Sequence, residues 1–260
     1  MERPAVLQSA RLKLLRTARH LDELKACIAE YTGRNPCEVV AESDSNATVK
    51  VYEPPPDDVA LIAGEVLYQL KSALDHMAFQ LVMLNPRGIA LPERSRQDCQ
   101  FPIWTDLPTA KTLPLPYGVF KNLPGITDEV HAFIESLQPY YGIGATNNYL
   151  RFLKGLSNVD KHRHFSVIRT RAQVYEEVTW ASGFRSSSLA HFEHNTQIPT
   201  PFIAADDERV DVKRSVTAAV SFNEPGALGE AVCLPVDLLL DDIAAAVWII
   251  LLRLEDLCKC

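Results

Sequence analysis

Leu7, Ala10, Leu14, Leu21, Leu24, Ile28 and Tyr31 recur at alternating steps of three and four, with one position, Thr17, interrupting the series. Such a near-heptad stripe has the period of a helix with one face against a partner helix, and no strand can satisfy it. It predicts a long helix over 4–32, with Pro4 at the first helical position and Gly33 ending it. A lone helix of this kind cannot bury its stripe, so the chain must supply others.

Three further segments do. Residues 57–84 carry apolar positions at Val59, Ala63, Val66, Leu67, Leu70, Leu74, Met77 and Leu81, with Asp57 or Asp58 as cap and Asn85–Pro86 as terminator. Residues 146–164, opened by Thr146 or Asn147, and 236–258, capped by Asp237, complete four long helices. A shorter one follows Thr127 and stops before Pro139. The apolar run IAAAVWIILL at 243–252 is too short to span a bilayer and reads as core helix.

The β-prone runs fall elsewhere. CEVVAE and ATVKVYE around SDSN predict a hairpin within 36–53, and SVIRTRAQVYEEVTWAS, RVDVKRSVTAAVSF and GEAVCLP predict strands within 166–234. QFPIW reads as a short strand or a packed extended segment, and HFEHNTQIPTP, with His191 and His194, as a loop. Because helices and strands are grouped rather than alternating, the expected class is α+β: a helical bundle with an attached antiparallel β-sheet, in one domain over 1–260.

Net charge is −7, which excludes a surface that attracts nucleic acid everywhere but leaves room for a local basic patch. The charged first residues lack the apolar core of a signal peptide, and six cysteines without a CxxC pair argue for reduced thiols. The expectation is a cytoplasmic protein with no membrane partner, no cofactor and no metal.

Two helical segments concentrate polar chemistry. At about 100° per residue, Glu65, Gln69, Ser72, His76 and Gln80 gather opposite the core stripe of the second helix, while Lys71 and Asp75 flank that stripe. They read either as a solvated polar face with an i, i+4 ion pair, or as a site in which His76 is the acid or base and Lys71 meets a phosphate. Lys71 and His76 stand about 140° apart around the axis, so a second helix or a second copy would have to complete such a site. In KGLSNVDKHRHF, Asp160 and His164 follow the core stripe, and a carboxylate there needs a partner. Lys161, His162 and Arg163 complement the helix C-terminus. Asp160 and His164 could instead share a pocket with the second helix, and with Asp75 and His76 they form the candidate metal set.

LKSALDH at 70–76, FPI at 101–103, QPY at 138–140 and LSNVDKHR at 156–163 together resemble a broad group of uncharacterised bacterial proteins sharing L-R-S-A-L-D-H, F-P-I, Q-P-Y and L-x-N-x-D-K-H-R. Lys71, Ser72 and His76 more distantly resemble the active-site pattern of the HEPN superfamily, helical bundles that act as metal-independent ribonucleases across a dimer. Lys71 stands where that pattern has Arg. The resemblance implies RNA or nucleotide as ligand, a homodimer through helices, and catalytic roles for Lys71, Ser72 and His76. The alternative is a non-enzymatic binding or assembly protein whose polar clusters, including Asp75, Asp160, Arg163 and His164, are structural.

Overall fold

The computed structural model describes residues 7–43, 46–91, 93, 99–106, 123–142, 144–162, 168–180, 183–193, 197–198, 209–229 and 234–259. Helix α1 spans Gln8–Gly33, and every residue of the expected stripe is buried. Thr17 joins them at 1% exposure. Its hydroxyl donates to the Lys13 carbonyl at 3.1 Å, which satisfies the polar atom inside an otherwise apolar seam. Pro4 lies outside the described residues. The chain takes a left-handed conformation at Asn35, φ 52°, rather than at Gly33.

Helix α2 spans Asp57–Leu84 and buries all eight expected core positions. Pro56, not an aspartate, occupies the N-cap; Asp57 and Asp58 sit in the first turn, where they act on the helix dipole. Helix α3, Asp128–Ser136, is capped by Thr127, whose hydroxyl accepts the Val130 amide at 3.3 Å. After a 3-10 turn at Pro139–Tyr141 comes α4, Ala145–His162, which begins before the expected cap residues. Helix α5, Val236–Leu257, has Pro235 at its N-cap and Asp237 in the first turn, so the expected aspartate cap is again displaced by proline. Among the described residues no helix is long and apolar enough to cross a membrane.

The strands are β1 Cys37–Ser43, β2 Asn46–Val51, β3 Ile168–Trp180, β4 Arg185–Phe192, β5 Gln197–Ile198 and β6 Arg209–Phe222. They form two antiparallel three-stranded sheets, β1-β2-β5 and β4-β3-β6. His191, expected in a loop, pairs with Gln173 inside β4. His194 and most of the strand expected at GEAVCLP lie outside the described residues.

The fold is thus α+β. One apolar cluster runs through these five helices, takes in Val220 and Phe222 of β6, and includes Leu228 of the one-turn helix Pro225–Leu228. A second, smaller one lies between the sheets, with Cys37 and Val49 facing Ala172 and Val174. Tyr31 ties the two layers: its buried hydroxyl donates to the Glu53 carbonyl at 2.6 Å, so the Thr170 hydroxyl is left to donate to it.

Candidate functional site

Residues 99–106 cross the bundle as an extended segment without strand partners, which leaves their backbone groups to be satisfied by side chains. The Phe101 amide donates to Asp75 at 3.0 Å, and the same carboxylate oxygen accepts from Lys71. Gln138, with no exposed surface, accepts the Trp104 amide at 2.9 Å and donates to the carbonyls of Pro102 at 3.1 Å and Ile134 at 2.9 Å. Lys154 donates to the Ile103 carbonyl at 2.8 Å. Asn147, rather than capping α4, donates to the carbonyls of Ser136 and Gln138 and holds the glutamine segment in turn. The segments LKSALDH, FPI and QPY are therefore one hydrogen-bonded unit.

Beside this unit lies a cleft of about 270 Å³ lined by Lys71, Trp104, Lys154, Asn158 and Lys161 and floored by residues 100–103. Helix α2 brings Lys71, whose side chain is 17% exposed and set against Asp75. Helix α4 brings Lys154, Asn158 and Lys161 at steps of four and three, along one face. The Lys154 ammonium lies 6.0 Å from the centre of the Trp104 ring. Burial pushes its pKa below the ordinary lysine range, with Lys71 acting in the same direction and Asp106 against it. Among the described residues neither Lys154 nor Lys161 has a carboxylate within ion-pair distance. Chemically, the cleft offers ammonium donors and one aromatic ring to an anionic ligand.

The Lys71, Ser72 and His76 set is divided between two faces of α2. His76 turns toward α1, its Nδ1 2.9 Å from the Ser9 hydroxyl oxygen. Ser9 gives its single proton to Gln80 Oε1 at 2.9 Å and so accepts from His76 Nδ1–H; in the neutral ring this leaves the lone pair on Nε2. Burial first, and Lys13 second, lower the His76 pKa, with Asp75 opposing. Ser72 is half-buried between these two faces. The stripe expected to be solvated is likewise largely covered by α1: Glu65 is exposed, while Gln69, His76 and Gln80 are half-buried.

Asp160 faces a third place. It lines an open cleft of about 540 Å³ with Arg16, His20, Glu65 and Gln69. A Cβ on Gly64 would stand 3.0 Å from its Oδ1, so glycine is what lets the carboxylate rest on α2. Among the described residues none hydrogen-bonds to Asp160. Buried His20 places Nδ1 3.2 Å from the Glu65 carboxylate, though not aligned as a hydrogen bond. Arg163 and His164 lie outside the described residues, as does the side chain of His162. Among the described residues no three His, Cys, Asp or Glu side chains stand close enough to hold a metal ion.

Trp104, Gln138 and Lys154 are the site residues that the sequence reading passed over. Two carried a signal: Gln138 opens QPY and Trp104 directly follows FPI. Comparison of the chain with family models, with curated proteins and with solved structures gave no match.

Proposed function

We propose that the protein binds the phosphate of RNA or a nucleotide in the cleft between α2, residues 99–106 and α4. The convergence of Lys71, Lys154 and Lys161 around one aromatic residue, in a chain of net charge −7, carries this reading. Free thiols at Cys27, Cys37, Cys99 and Cys258 agree with a reducing, cytoplasmic setting. Titrating a fluorescent RNA oligomer at two salt concentrations tests the proposal. Binding that weakens with salt, and weakens again in Lys154→Ala and Lys161→Ala, is expected; affinity indifferent to both variants would sink it.

A metal-independent ribonuclease is the second reading, favoured by one arrangement: burial favours the neutral His76 ring, and with Nδ1–H toward Ser9 the lone pair a general base needs falls on Nε2. Since Lys71 faces the other way, a second copy would have to supply the group that meets the phosphorane. A mixed RNA pool left equally intact by the protein and by His76→Ala would end this reading and leave the binding reading in place.

A further inference from the structure

We infer that the cleft takes a terminal phosphomonoester carried beside a planar ring, as in a nucleoside monophosphate or a phosphorylated RNA end, rather than the internal phosphodiesters of a strand. This rests on the phosphate reading above and narrows its ligand.

Charge is the first argument. Lys71 is already set against Asp75, so Lys154 and Lys161 remain as the two ammoniums open to a ligand. Asp106, exposed beyond Trp104, is the carboxylate that bears on Lys154. Two ammoniums suit a monoester, which carries roughly −1.5 to −2 at neutral pH, better than a diester with about −1.

Dimension is the second. At about 270 Å³ the cleft can hold a phosphate and part of a nucleoside. A groove that follows a single strand offers successive aromatic platforms over roughly 4–16 nucleotides. Among the described residues the lining has one aromatic ring with exposed surface, the half-buried Trp104, since Phe101 is 2% exposed and belongs to the core.

The floor supplies the third. Four backbone groups of residues 101–104 are already engaged: the Phe101 and Trp104 amides by Asp75 and Gln138, the Pro102 and Ile103 carbonyls by Gln138 and Lys154. Stacking on Trp104 tolerates any base, and the side chains left to contact a base edge are Gln100 and Asn158. Because the Lys154 ammonium lies 6.0 Å from the centre of the Trp104 ring, a phosphate on that ammonium brings the attached nucleoside within reach of the ring.

The test compares one short RNA oligomer carrying a 5′-phosphate, a 3′-phosphate or hydroxyls at both ends, with adenosine monophosphate, adenosine and inorganic phosphate as competitors. A terminal phosphate should tighten binding by roughly tenfold or more, the worth of one or two charge-assisted hydrogen bonds. Adenosine monophosphate should compete where adenosine does not. Lys161→Ala, a substitution on an exposed residue that leaves the core alone, should abolish the preference. Trp104→Leu should weaken adenosine monophosphate but not inorganic phosphate. Equal binding of all three oligomers would overturn the inference while leaving the phosphate reading standing; no binding of any phosphate-bearing probe would remove both. Adenosine monophosphate unaffected by Trp104→Leu would overturn the assignment of the ring.

Discussion

The backbone amide of Trp104 is held by the side chain of Gln138 at 2.9 Å, and that side chain has no exposed surface. Gln138→Leu strands the Trp104 amide and the Pro102 carbonyl together, while the Ile134 carbonyl keeps the Leu137 amide. Burying such groups unpaired should cost about 2–3 kcal/mol, read as a lower urea midpoint at unchanged slope. A loss within about 0.5 kcal/mol, the ordinary range of surface changes, would show that the glutamine does not hold the segment.

Asp75 serves two donors, and substitutions can separate them. Asn at this position still accepts the Phe101 amide but gives up the charge opposite Lys71; Ala gives up both. Asp75→Ala should therefore be less stable than Asp75→Asn by about 1–2 kcal/mol. The Asn variant, with Lys71 released, should bind phosphate ligands more tightly than the parent protein.

Gly64 and Asp160 can be examined by a double-mutant cycle. Alanine is favoured over glycine inside a helix by about 0.8–1.0 kcal/mol, but here its methyl would crowd the Asp160 carboxylate. Gly64→Ala should stabilise an Asp160→Ala background by about that amount and the parent protein by clearly less. Equal gains in the two backgrounds would mean the carboxylate moves aside freely.

His76 has a pKa lowered from its ordinary value of 6.5, chiefly by burial, and the unfolded chain therefore binds the proton more readily than the folded one. Its contribution to stability is complete above that ordinary value and is lost as pH falls through the folded pKa. His76→Asn retains a donor toward Ser9 and removes the titration. Urea unfolding at about pH 7.5 and at about pH 5 should show a smaller acid loss in the variant. His131, also lowered by burial, first of all, and by Arg87, titrates with the same sign in both proteins and cancels in the comparison.

Helices were legible because burial imposes a period on sequence, and α1 and α2 keep theirs at every expected position. Two of the three failed cap expectations share one reason: Pro56 and Pro235 set the backbone before the helix, and the aspartates behind them fall into the first turn. His191 was misplaced because two histidines beside Asn and Pro look like a loop, whereas pairing of β4 with β3 decides the matter. The pairing of Lys71 with Asp75 was legible from helix spacing alone. The companions of Lys71 in the cleft, Trp104 and Lys154, were not, since only the folded crossing of residues 99–106 over α4 brings them together.

Helix α1 touches His76 through Ser9 near its start and anchors the sheets through Tyr31 near its end. At 1.5 Å per residue those two points are about 33 Å apart along a rigid rod. The helix thereby acts as a ruler whose graduations are angular as well as linear. One residue inserted between them would turn Tyr31 by about 100° away from Thr170, whereas a whole inserted heptad would nearly restore its bearing but lengthen the rod by about 10 Å. Either error would be felt at the far end of the molecule, so length variation in this chain should be confined to the segments that join its elements.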